Sequence, residues 1–179
     1  MSETYAGYVA VSAARPGGMV TLRADPGNGK VKTALTKLAG ALPEQRKLIG
    51  AEIAGQPVEI AWMAPDEWLI FCPRDTAADL VAALDKALDG LHHLALDVSD
   101  TRLRFDLHGA AVREVLAKLT PADMAALPLA EMRRTRLGQV AAGIWLSAED
   151  RAHVIAFRSV GDYVFTALCH AARPGSEVG

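Results

Sequence analysis

Pro26-Gly27-Asn28-Gly29-Lys30 holds the glycines and the lysine from which a phosphate-cradling loop could be built. Such a loop needs a glycine five places before its Gly-Lys pair and a hydroxyl directly after it. Backbone amides then surround the phosphates and the hydroxyl holds magnesium. Those positions are Ala24 and Val31. The segment reads instead as a turn into a helix N-terminus, where an incidental anion could rest. Metal chemistry would draw on His92, His93, His108, His153 and His170. Adjacent His92 and His93 point to opposite faces of an extended chain, and no histidine pair has the helical i, i+4 spacing of a zinc site. Cys72 and Cys169 lack metal-ligand or redox spacing and read as buried small hydrophobes. Cys169 adjoins His170, but consecutive helical residues diverge, so the two do not form a dyad. Asp66-Glu67 and the pair Asp97 and Asp100 mark turns. General acid-base work needs carboxyls whose environments separate their pKa values, and at a turn the plainer role is to cap backbone groups.

The arginines make a more specific pattern. Arg102 and Arg104 share one face of a predicted strand, and Arg134 and Arg136 share one face of another. If those strands lie side by side, four guanidinium groups form a band suited to carboxylates of a partner or to an anionic ligand. A solvated face with local pairs to Asp106 and Glu131 is the blander alternative. Trp62 and Trp68 flank a predicted hairpin and serve either the core or a partner interface.

The elements that position these groups follow from periodicity. Met19, Val20 and Leu22 begin a strand that Asp25-Pro26-Gly27-Asn28 ends, and a helix runs from about Lys30 to Leu42 before Pro43. Residues 44–56 have weak periodicity and read as loop with a short extended piece. Val58, Ile60 and Trp62 share a strand face, Ala64-Pro65-Asp66-Glu67 is a turn, and Trp68 to Cys72 is an apolar run expected to be buried on both faces. Asp75 is placed to cap the next helix, whose stripe of Leu80, Val81, Leu84 and Leu88 ends at Gly90. His93–Met124 reads as an organising unit: two strands closed by a Ser99-Asp100 turn, then Gly109, then a helix with Val112, Val115, Leu116 and Leu119 on one side. Pro121 and Pro128 exclude one long element over 120–133. Strands are expected at 135–140, 143–146 and 153–157. Ser159 and Asp162 have capping-box spacing for a final helix through about His170.

These elements predict an α+β fold of mixed, largely antiparallel sheets with packed helices. Residues 18–172 are expected to form a single domain of two interlocked halves, with a flexible lead-in over 1–17 and a frayed tail over 173–179. At 179 residues and 51% apolar composition, a sizeable core is available. The net charge of −2 gives no electrostatic footprint for nucleic acid. No apolar run approaches the ~20 residues that span a bilayer, and the N-terminus lacks the pattern of a secretory signal. The expected location is cytoplasmic.

Four motifs occur in one order: Ala64-Pro65-Asp66-Glu67-Trp68-Leu69-Ile70; Asp97-Val98-Ser99-Asp100 with Arg102-Leu103-Arg104; Thr135-Arg136-Leu137; and Arg158-Ser159-Val160-Gly161-Asp162-Tyr163. Together they resemble the gamma subunits of heterotetrameric, tetrahydrofolate-dependent sarcosine oxidases, from about Val20 to Leu168. The resemblance implies a fold like that of the tetrahydrofolate-binding aminomethyltransferases, to which the step from Gly109 into a helix is also similar. It implies an accessory, non-catalytic subunit with alpha, beta and delta partners. The complex so implied converts sarcosine to glycine, hydrogen peroxide and 5,10-methylenetetrahydrofolate, with FAD, FMN, NAD and tetrahydrofolate held on the other subunits. Under that resemblance Trp62, Trp68, Arg102, Arg104, Arg134 and Arg136 are the residues to inspect as a partner interface. The chain departs from the family pattern at Ala64, where glycine is usual, and at Leu119-Thr120, where Gly-Cys is usual. The alternatives are a stand-alone folate-binding module or one-carbon transferase, or a folate-dependent iron-sulfur maintenance factor. Neither cysteine has the sequence context that the last of these carries.

Overall fold

The structure, a computed structural model, describes residues 4–14 and 17–178. It begins with β1 (Thr4–Ala6) and β2 (Ala10–Ala13). It continues through β3 (Gly18–Ala24), α1 (Gly29–Ala39), β4 (Leu48–Ile53), β5 (Gln56–Ala64), β6 (Glu67–Cys72), α2 (Ala77–Ala87) and β7 (His93–Asp97). Then come β8 (Arg102–His108), α3 (Val112–Ala117), β9 (Arg133–Leu137), β10 (Val140–Ala148), β11 (Arg151–Phe157) and α4 (Gly161–Ala171). The chain divides into two compact units, residues 16–99 and residues 1–15 with 100–179. The class is α+β with antiparallel sheets, as the strand and helix alternation predicts.

The unit of residues 16–99 has the strand order β4-β5-β6-β3-β7. β6 lies at its centre, and Trp68 to Phe71 are all buried, which accounts for the unbroken apolar run. Val20, Leu22, Ile60 and Ile70 pack with Val31 and Leu35 of α1 and with Leu80 and Leu84 of α2. Each such side chain contributes about 1.5–3 kcal/mol by leaving water. Asn28 caps α1 by accepting from Lys30 N at 2.9 Å, so the glycine-rich segment is a helix cap. Helix α1 stops at Gly40, whose φ of 76° favours glycine and whose N–H donates to Thr36 O, three residues before Pro43.

The other unit has the order β1-β2-β8-β11-β10-β9. Phe105 and Leu107 of β8, Val154 of β11 and Ile144 and Leu146 of β10 pack against Val115 and Leu116 of α3 and Val164 and Leu168 of α4. Among the described residues no helix is long and apolar enough to cross a membrane.

Four expectations are corrected, and the short extended piece expected within residues 44–56 is found as β4. The Ser99-Asp100 turn does not close a hairpin: β7 pairs with β3 and β8 pairs with β11 and β2. Local turn chemistry is satisfied either way, and the sheet edges available decide the pairing. The lead-in is not loose where it is described, because β2 pairs along β8 and Val9 and Val11 are fully buried. Gly109, at φ 148°, admits this segment; a Cβ there would lie 3.3 Å from Val9 Cα. Residues 44–56 contain β4, which forms a hairpin with β5 through Ala54-Gly55, both at positive φ. That is the twist a two-residue hairpin turn needs, supplied without the usual asparagine. Neither Asp75 nor Ser159 caps a helix, because each lies in a 3-10 turn preceding it and no side-chain cap bond forms. The tail is tied down: Val178 N donates to Glu114 at 2.9 Å, and Lys118 Nζ donates to Ser176 O and, at 3.1 Å, to Ala171 O.

Candidate functional site

The six residues expected at an interface do not form one band. β11 and β10 lie between β8 and β9. Along one row Arg104 is opposite Ile155, Ile155 opposite Gly143, and Gly143 opposite Arg134. Arg104 and Arg134 therefore share a face but stand about 14 Å apart, three strand spacings. Arg102 stacks over the exposed ring of Phe157, 5.3 Å from its centroid. Arg134 and Arg136 are exposed on edge strand β9. In the other unit Trp62 and Trp68 are directly opposed across β5 and β6. Trp68 is 2% exposed and sits in the core, its Nε1 buried without a hydrogen-bond partner. A side chain so placed offers a partner no surface. Trp62 packs, partly buried, against the same core cluster.

What the sheet does bring together is a polar cluster around Asp106. Arg104 Nε donates to its carboxylate at 2.8 Å, and His153 Nδ1 lies 2.6 Å from the same oxygen. His153 Nε2 lies 2.8 Å from Ser147 Oγ, the indole of Trp145 lies 4.9 Å from the imidazole, and Arg104 sits over Trp145 at 5.7 Å. Register explains the assembly. Asp106 is opposite His153, and His153 is opposite Trp145, so the groups lie on one face of β8, β11 and β10. Ser147 joins them at the bulge between Leu146 and Ala148. Burial pushes the Asp106 carboxyl up, but the hydrogen bonds from His153 and Arg104 outweigh it and hold the pKa below the usual aspartate value.

Nothing in the sequence around His153 marks a carboxylate partner for it. Ser147 and His153 flank the Glu149-Asp150 turn between the strands expected at 143–146 and 153–157, so their proximity is a local consequence of that turn. Asp106 lies 47 positions from His153, and only the β8–β11 register joins them. The order carboxylate, imidazole, hydroxyl is that of a nucleophilic triad. Acyl transfer also needs donors converging on a developing oxyanion, and the donors of this cluster are turned to Asp106 and to one another. Its chemistry is that of a fixed, charge-balanced network joining three strands.

The remaining motif residues are structural in the same sense. Ser99 Oγ accepts from Met19 N at 2.9 Å, and Ser99 N donates to Asp97 at 2.9 Å, which pins the end of β7 to β3. The Ser99 hydroxyl hydrogen bond, the largest influence on Asp97, holds that carboxyl below its usual value. Asp66 pairs with Arg23 at 2.7 Å beside an open depression of about 630 Å³ that His92, His93, Asp25 and Leu94 also line. His93 is paired with Asp85 and His108 with Asp150. No group of three or more histidine, cysteine, aspartate or glutamate side chains placed to hold a metal occurs among the described residues. Cys72 and Cys169 form no disulfide and are partly rather than fully buried.

A family model described as "Sarcosine oxidase, gamma subunit family" matches residues 30–173. A sarcosine oxidase subunit gamma from Corynebacterium sp. (strain P-1) is 34% identical over 105 residues, 59% of this chain and 50% of that protein. The chain thus spans half the length of that relative. Among solved structures, a chain of heterotetrameric sarcosine oxidase from Corynebacterium sp. U-96 superposes with a TM-score of 0.83 at 25% identity, over 98% of this chain and 90% of that one. Glycine cleavage system aminomethyltransferase T from Bartonella henselae superposes with a TM-score of 0.68 at 15% identity, over 85% of this chain and 43% of that one, a likeness of fold.

Proposed function

Because the chain belongs to the sarcosine oxidase gamma subunit family, we propose that it is an accessory subunit of a sarcosine oxidase complex and contributes no catalytic group of its own. The observation that carries this reading is the superposition of nearly the whole chain on one chain of a heterotetrameric sarcosine oxidase. The internal bonding of the Asp106 cluster fits it, since the groups there hold one another. The partners are the alpha, beta and delta subunits, which carry FAD, FMN, NAD and tetrahydrofolate. The assembly turns sarcosine into glycine, hydrogen peroxide and 5,10-methylenetetrahydrofolate in the cytoplasm. The chain's part is to hold its place in that assembly and shape its folate compartment from outside.

Co-expression with the three partner chains followed by size exclusion tests this. Co-elution with them supports the subunit reading, and separate elution under all conditions contradicts it. Calorimetric titration of the isolated chain with tetrahydrofolate tests the competing idea of a self-sufficient folate module. The subunit reading predicts no saturable heat.

A further inference from the structure

β7 is an edge strand, and its outer side is the feature that the subunit reading leaves unused. The register pairs Leu96 with Thr21 and Leu94 with Arg23, and Val98 N donates to Met19 O at 2.8 Å across the same pair of strands. Antiparallel ladders alternate, so Leu94, Leu96 and Val98 direct their backbone groups at β3. The N–H and C=O groups of His93, Ala95 and Asp97 therefore point away from the sheet. β3 itself obeys the same alternation, since Ala24 N donates to Asp66 O on its other side. Leu94 and Leu96, two residues apart on one face, are 49% and 52% exposed.

The other sheet edges are guarded against further pairing. β1 has three residues, β4 carries Glu52, and β9 carries Arg133, Arg134 and Arg136. Short length and charge are the usual devices that keep an edge from recruiting a strand. In β7 two of the three exposed positions are leucines, and its one acidic residue, Asp97, is confined to the end of the strand.

We infer that the outer edge of β7 receives an extended segment of a partner subunit, which adds a strand alongside His93–Asp97 and lays apolar side chains on Leu94 and Leu96. The mode is strand addition, in which backbone bonds give affinity and alternate side chains give specificity. Area decides between occupants. Five residues span about 17 Å, and one added strand buries far less than the roughly 1,200 Å² of a stable interface. Two copies of this chain joined only here would not hold together, whereas a segment of a subunit anchored elsewhere would. This inference rests on the subunit reading.

Ala95→Pro is the decisive variant. Proline removes an N–H that faces outward, a position edge strands tolerate, so pairing with β3 is kept. Leu94→Lys with Leu96→Lys is the second variant. Each is co-expressed with the partner subunits, and affinity for them is measured alongside the melting temperature of the free chain. The expected result is a wild-type-like free chain with at least a tenfold loss of affinity in both variants, and slowed amide exchange at Ala95 in the wild-type complex. Wild-type assembly with undiminished affinity in both variants and unchanged exchange at Ala95 overturns the edge proposal and leaves the subunit reading standing. Failure of the wild type to assemble overturns both. A free-chain dimer that Ala95→Pro abolishes also overturns the proposal, in favour of a second copy as occupant.

Discussion

His153 Nδ1 lies 2.6 Å from the Asp106 carboxylate, and the pair joins β11 to β8 through side chains as well as backbone. The folded-state pKa of Asp106 is lowered. Its stabilising contribution is therefore present above the ordinary aspartate value of about 4 and is lost as pH falls through the lowered folded value. Asp106→Asn should cost about 1 kcal/mol at neutral pH, less than the roughly 1.5–3 kcal/mol of a buried charged hydrogen bond because the carboxylate is partly exposed. Urea unfolding from pH 7 to 2.5 checks this. The gap between wild type and variant should narrow toward acid, and a gap constant with pH would contradict the assignment.

The hairpin between β4 and β5 places an alanine, Ala54, at φ 52°. A residue with a Cβ pays about 1–2 kcal/mol in that region, which glycine avoids and asparagine tolerates. Ala54→Asn should raise stability by several tenths of a kcal/mol and Ala54→Gly by a similar amount. Thermal melting of the three proteins compares them directly. A lower melting temperature in both variants would mean the turn is not the one described.

Lys118 closes a latch between α3 and the tail. Its Nζ donates to Tyr8 Oη at 2.8 Å and to Ser176 O, and it lies 5.1 Å from the Tyr8 ring centroid. Lys118→Met keeps the stem and removes the donors. It should release residues 174–178, so that amide exchange of Val178 becomes as fast as in an unstructured peptide. Unaltered protection at Val178 would show that Glu114 alone holds the tail.

Trp68 carries an unpaired buried Nε1 inside the core. Trp68→Ala should cost about 3–5 kcal/mol through the cavity it leaves. Trp68→Phe should cost much less, because the smaller ring removes the unsatisfied donor along with part of the volume. Chemical denaturation distinguishes the two. Equal losses would place the indole in a polar contact rather than an apolar one.

Local signals carried a good part of the fold. The apolar run of β6, the Pro65-Asp66 turn and the Asn28 cap are each decided by residues close in the chain. The partner of β7 is not. Ser99-Asp100 has the chemistry of a hairpin turn, yet its Oγ bond reaches Met19, 80 positions away, and β8 joins another sheet. The same limit hid the site. Arg102 and Arg136 fall on the predicted faces, but strand order separates them, and Asp106 meets His153 only after β8 and β11 pair. Val9 and Val11 belong to the segment expected as a lead-in, and the pairing of β2 with β8 is what buries them.

If this 19.0 kDa chain is one subunit of a larger oxidase, it should be recovered bound to the other chains. Native mass spectrometry on material captured through a tag on this chain, co-expressed with alpha, beta and delta chains, addresses this most directly. The expected spectrum shows a single species containing one copy of each chain. A spectrum holding only the free chain, with the partners assembled without it, would overturn the subunit assignment.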